Sequence, residues 1–246
     1  MQTTLKILSA LLTYPSAELK QAAPDLRVAI AGESALSKQQ RVGIDRLLGD
    51  FETKDLLDLQ ERYILLFDRT RSLSLHLFEH VHGESRDRGQ AMVDLQQLYE
   101  SHGLSFTSTE LPDFLPLFLE FASTIADGEA RALLAETAHI FEAIRQRLKK
   151  RRSRYEVVFW CLQSIAKGKP DPAAVKAMLA TPDPDANDLE ALDAAWEEEV
   201  RFGPATADCG HEGLAAKLRA GMRPAPGVAT PERQHTVFTH SPSNRA

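Results

Sequence analysis

Residues 129–152 read EARALLAETAHIFEAIRQRLKKRR, and within them Leu133, Leu134, Thr137, Ile140, Phe141, Ile144 and Leu148 recur at separations of three and four. A strand sends alternate residues to opposite faces and cannot gather such a set, whereas a helix of 3.6 residues per turn puts it on one side. The stretch predicts the longest helix of the chain, Glu129 to Arg152, with Ser153 placed to cap or interrupt it. The cations at its end, Arg145, Arg147, Lys149, Lys150, Arg151, Arg152 and Arg154, suit a helix C-terminus, where positive charge complements the macrodipole, and read as a solvated face.

Outward from this helix the same period continues. Leu5, Leu8, Leu11 and Leu12 form a first stripe that stops at Pro15; Ser16 caps a second through Leu19, Ala23, Leu26 and Ile30, closed by Gly32. Leu47, Leu48 and Phe51 close a short third helix, and Thr53 caps a fourth running to Phe67. Leu73, Leu75 and Leu77 alternate, but a lone strand has no partner in the pattern, so this segment reads as helix or loop. A unit from Ser85 carries Met92, Leu95, Leu98 and Tyr99 and stops at Gly103. Pro112 and Asp113 open an apolar helix through Phe114, Leu117, Phe118, Phe121 and Ile125 that ends at Asp127-Gly128. After the long helix come Tyr155 to Ile165, a shorter helix from Asp171-Pro172, and a last stripe of Leu189, Leu192, Trp196 and Val200. The expected fold is all-α, a single helical domain of about nine helices over residues 1–202. Residues 203–246, rich in Gly, Pro, Ala, Ser and Thr, bury too little apolar surface to offset ordering and read as a mostly disordered tail.

Composition narrows the function. The 246 residues carry 29 Lys+Arg against 35 Asp+Glu, a net charge of −6, which excludes a strongly basic nucleic-acid binder. Cys161 and Cys209 stand far apart and fit neither a disulfide framework nor a cysteine zinc site, as expected of a cytoplasmic protein. The N-terminus lacks a signal-peptide pattern, and nowhere do about 18 apolar residues run together, so no membrane-inserted helix is expected. The glycine-rich phosphate loops, the GxSxG elbow and the HExxH zinc motif are absent, and no catalytic residue, metal or resident cofactor is expected. His76 and His80 would share a helical face with Glu79 between them, near His82, yet no further ligand at a recognisable spacing completes a metal set.

Two segments stand out. Residues 79–92, EHVHGESRDRGQAM, pack histidine, glycine and both signs of charge between apolar stretches. Residues 110–121, ELPDFLPLFLEF, crowd Phe and Leu around a helix and bracket them with carboxylates. Together with Leu192 to Glu198, Leu11 to Pro15 and Arg62 to Asp68, they resemble the delta-subunit family of nitrate reductase molybdenum cofactor assembly chaperones. The resemblance covers essentially residues 1–202. The Glu-x-Pro-Asp motif at 110–113 is shared with the wider TorD/DmsD-like redox-enzyme maturation chaperones, and the run 79–92 narrows it.

The resemblance implies a helical cytoplasmic chaperone, not an enzyme and not part of the finished one. It would bind the N-terminal segment of the apo nitrate reductase catalytic (alpha) subunit. The client would be held for insertion of the molybdenum cofactor and an iron–sulfur cluster, before membrane docking. By position, Glu110, Pro112, Asp113 and Phe114 carry the family's client-binding motif. Phe118 is expected on the floor of the groove, and His80, Glu84, Arg86, Arg88 and Gln90 are candidate contacts from the narrower segment. The carboxylates Glu84, Glu110 and Asp113 would meet basic client residues. The alternatives are a chaperone for another molybdoenzyme, recognising a twin-arginine leader; a metalloprotein built around His76, Glu79, His80 and His82; and a polyanion binder using Arg145 to Arg154. A monomer and a helix-swapped dimer are both compatible with the sequence.

Overall fold

The structure, a computed structural model, describes residues 1–82, 86–104, 110–181, 183–184 and 190. Over these residues the chain is built of α1 (Gln2–Leu11), α2 (Ala17–Ala31), α3 (Lys38–Thr53), α4 (Leu56–Tyr63), α5 (Glu79–His82), α6 (Arg86–Ser101), α7 (Leu115–Ala122), α8 (Asp127–Glu136), α9 (Ala138–Lys150), α10 (Glu156–Ala166) and α11 (Pro172–Ala180). A π-helical turn at Ile64–Asp68 continues α4, and a 3-10 turn spans Arg71–Leu73. The all-α expectation holds, and none of the described helices is long and apolar enough to cross a membrane. The stripe Leu189 to Val200, the tail 203–246 and Cys209 lie outside the described residues.

Eleven helices appear among the described residues where about nine were expected, chiefly because the expected longest one is two. Thr137 is fully buried, its backbone leaves helical geometry at φ −97°, ψ 6°, and its hydroxyl donates to the Leu134 carbonyl at 3.0 Å. A short β-branched side chain that bonds its own preceding turn competes with the helix ladder, so α8 ends there and α9 starts afresh. Asp127 and Gly128 open α8 rather than closing the helix before it. The third helix is long, not short. Its start is a capping box in which the Ser37 hydroxyl accepts from Gln40 N–H at 3.3 Å and the Gln40 amide oxygen accepts from Ser37 N–H at 2.9 Å. Asp55, not Thr53, caps α4, whereas the caps at Ser16 and Asp171 and the left-handed Gly103 stand where the sequence puts them.

In the core, α9 packs on α10 and α11, α10 on α8 and α3, α2 on α3, and α1 on α7. Contact between α3 and α10 needs Gly43, because a Cβ there would lie 2.5 Å from Val157 Cγ2. Cys161 lies inside, where burial pushes its thiol up to about 12. Two distant sequence segments meet at the π-helical turn: the Tyr63 hydroxyl donates to the Leu12 carbonyl at 2.9 Å, and Tyr63 stacks edge-on between Tyr14 and Phe67.

The basic run at the end of α9 is less solvated than its charge suggested. Arg147 is buried, Arg145 pairs with Glu156 at 2.8 Å, Arg151 with Asp183 at 2.5 Å, and Arg154 with Asp50 at 2.6 Å. These pairs tie α9 and the residues just after it to α3, α10 and Asp183.

Candidate functional site

The partner that the alternating segment lacked in the sequence is the Glu-x-Pro-Asp segment itself. Residues 75–77 meet residues 113–115: Leu77 N–H donates to the Asp113 carbonyl at 3.1 Å, Leu115 N–H donates to the Leu75 carbonyl at 2.8 Å, and His76 and Phe114 form an isolated antiparallel bridge. Leu73, Leu75 and Leu77 face the core. A single bridge leaves no period to read, so one pairing between two loops is invisible to pattern analysis.

Asp113 closes this junction. It is 0% exposed, and both carboxylate oxygens are engaged: Oδ1 accepts from His76 Nδ1 at 3.2 Å and Oδ2 from Phe78 N–H at 3.0 Å. A buried carboxylate needs such donors to replace its hydration. The expectation that Asp113 meets basic client residues is therefore corrected: its charge is spent within the fold, where it fixes the approach of 74–82 to 110–114. Pro112 is buried beside it, and its carbonyl accepts from the Tyr99 hydroxyl at 2.7 Å, which anchors the motif to α6. Burial pushes that hydroxyl well above its ordinary range, so it remains a donor.

Phe118 is corrected likewise. At 1% exposure it belongs to the core face of α7 with Leu115, Leu119 and Phe121, and it is not groove floor. Glu110 and Phe114 differ. Glu110 is exposed, and Phe114 is half-buried with its ring 5.4 Å from that of His76. Leu111, which motif reading did not single out, is 46% exposed and supplies the apolar surface between them.

From the second segment, His80 reaches the junction through Nε2, which donates to the Ser74 carbonyl at 2.8 Å. Arg88 pairs with Glu79 at 3.3 Å and joins α6 to α5. Gln90 is exposed and donates to Asp94 on its own helix at 2.8 Å, so the structure does not bring it to the others. Arg86 begins α6, its side chain outside the described atoms, and Glu84 lies outside the described residues. His76 precedes α5, so it shares no helical face with His80; each ring is taken by a protein acceptor, and among the described residues no group of three potential ligands stands ready for a metal.

The two histidines titrate in opposite senses. The Asp113 hydrogen bond raises His76 above 6.5, outweighing its partial burial, while burial lowers His80 below 6.5. The His76 contribution to stability is thus fully present below its unfolded value and lost as pH rises through its folded value; that of His80 is present above 6.5 and lost as pH falls. Between about pH 5.5 and 8 we expect urea denaturation to show greatest stability near 6.5. His76→Gln should flatten the alkaline limb and His80→Gln the acid limb. A profile unchanged in both variants contradicts this assignment.

The geometry is thus a braced junction presenting a small rim of Glu110, Leu111 and Phe114. Comparison with known proteins agrees on one relationship. The family described as nitrate reductase delta subunit matches residues 16–159. The nitrate reductase molybdenum cofactor assembly chaperone NarJ of Escherichia coli (strain K12) is 45% identical over 216 residues, 87% of this chain and 91% of that protein. The probable assembly chaperone NarW of the same strain is 38% identical over 203 residues, 80% of this chain and 83% of its own. The probable NarJ of Bacillus subtilis (strain 168) is 32% identical over 183 residues, 72% and 97%. With a match over most of its length to the family and to these relatives, the chain belongs to the nitrate reductase delta subunit family.

Proposed function

We propose that this protein is the assembly chaperone of a nitrate reductase, working in the cytoplasm on the apo form of the catalytic (alpha) subunit. It grips that subunit's N-terminal segment and holds the apo-protein open while the molybdenum cofactor and an iron–sulfur cluster enter, before the enzyme docks at the membrane. The observation that carries this reading is the 45% identity to NarJ over 216 residues. The rim of Glu110, Leu111 and Phe114 supports it, since an exposed leucine and a half-buried phenylalanine beside a carboxylate suit an amphipathic basic segment. Burying roughly 400 Å² of apolar surface at about 25 cal/mol/Å² gives ~10 kcal/mol before ordering costs. Ordering a flexible peptide takes back several kcal/mol, and close polar contacts return part of it. A releasable complex then sits in the micromolar range, about −6 to −8 kcal/mol.

The test is a calorimetric titration of the full chain with a peptide of the alpha subunit's N-terminal segment. The wild type should bind in that range, more weakly as salt is added. Leu111→Asp should weaken binding by about tenfold or more, because a charge enters the apolar contact, with the melting temperature unchanged. Equal affinity for an unrelated twin-arginine leader would instead favour a chaperone of broader or different clientele.

A further inference from the structure

We propose that Arg147 is a positioning residue for the client site, and that with Ser72, Arg151 and Asp183 it couples the chain following α11 to the segment that carries the site. This rests on the reading of the 74–82 and 110–114 segments as that site.

Arg147 lies on the inward face of α9, seven residues after Ile140, and is 4% exposed. Its guanidinium donates to the Ser72 carbonyl through Nη1 at 2.7 Å, and through Nη2 to the Met178 and Thr181 carbonyls at 2.6 and 3.1 Å. One planar fork thus spans the turn before the site and the end of α11, which a lysine ammonium could not do with the same geometry. One helical turn later, Arg151 donates to Asp183 Oδ1 at 2.5 Å and to the Pro184 carbonyl at 3.2 Å. The same Oδ1 accepts from the Ser72 hydroxyl at 2.6 Å.

Ser72 is the shared member: its carbonyl belongs to Arg147 and its hydroxyl to Asp183. Two residues on, Ser74 accepts from His76 N–H through its hydroxyl at 3.1 Å and from His80 Nε2 through its carbonyl at 2.8 Å. His76 then reaches Asp113 at 3.2 Å. Hydrogen bonds therefore tie Thr181 and Asp183 to Arg147 and Ser72, and, two residues of backbone further on, Ser74 to the Glu-x-Pro-Asp motif through His76. The element to which this coupling gives two arrangements is Thr181 with Asp183, held on Arg147 and Ser72 or released from them. Coupling of this kind is reciprocal: docking favours the client-ready site, and client binding tightens the docking.

Replacing Arg147 also disturbs the core beside α9, so the deciding variant is Asp183→Ala, with Ser72→Ala as a second that removes only the hydroxyl. Hydrogen exchange is measured on the full chain, with and without the alpha-subunit N-terminal peptide. Losing a charge-assisted bond of this kind should speed exchange at the amides of Leu77, Phe78 and Leu115 by about tenfold in Asp183→Ala, and less in Ser72→Ala. Peptide affinity should fall by a similar factor, and peptide bound to the wild type should slow exchange across 178–184. Faster exchange confined to residues 172–184, with those three amides unchanged, overturns the coupling. A wild-type chain that does not bind the peptide overturns the client reading instead, and the three amides alone then decide the coupling.

Discussion

Asp113→Ala is expected to lower the stability of the chain by about 3 kcal/mol, since one buried and one part-buried donor lose their acceptor at a cost of roughly 1–3 kcal/mol each. The donors are Phe78 N–H and His76 Nδ1, and the carboxylate between them has no exposure to solvent. At about 2–4 °C per kcal/mol for a chain of this size, the melting temperature should drop by roughly 6–12 °C. Asp113→Asn keeps the shape but turns one acceptor into a donor facing another donor, and should fall between wild type and alanine. Urea unfolding of both variants checks the order. A loss below about 1 kcal/mol for alanine would place it among ordinary surface substitutions and remove Asp113 as the brace of the junction.

Phe118→Ala should cost about 3–5 kcal/mol, the usual range for emptying a buried aromatic site, because its ring is sealed within the core face of α7. Phe114→Ala, four residues earlier and half-buried, should cost no more than about 1.5 kcal/mol. Client affinity should move the other way. At a temperature where both variants remain folded, Phe114→Ala should weaken peptide binding by about tenfold and Phe118→Ala by no more than a few-fold. Thermal unfolding and calorimetry on the same samples separate the two effects. A Phe118→Ala protein of wild-type stability that no longer binds peptide would put Phe118 back in the groove and contradict its placement in the core.

The part of the fold that was legible in the sequence is the part governed by local rules. The stripe of α1, the Ser16 and Asp171 caps and the left-handed Gly103 each depend on residues within one helical turn. What escaped is set by tertiary partners. The break at Thr137 interrupts a stripe that runs straight through it, because the threonine is itself buried and in phase. The Leu73 to Leu77 segment looked unpaired because its partner is a single bridge, from His76 to Phe114, 38 residues further along the chain.

The site was legible by composition and resemblance, but the division of labour within it was not. Glu110 and Asp113 look equivalent as carboxylates of one motif, yet one is exposed and the other sealed. Arg147 did leave a trace: it follows Ile140 and Ile144 on the apolar face of its helix, where a solvated cation would not sit. Reading the whole run as helix-end charge concealed it.

If this chain holds the nitrate reductase alpha subunit by that subunit's N-terminal segment, as proposed, removing the segment should abolish capture. The most direct measurement is co-purification of the full chain with apo alpha subunit, intact and lacking its N-terminal segment, at matched expression. Recovery of the intact subunit with loss of the truncated one is the result expected here; equal recovery of both would contradict recognition through that segment.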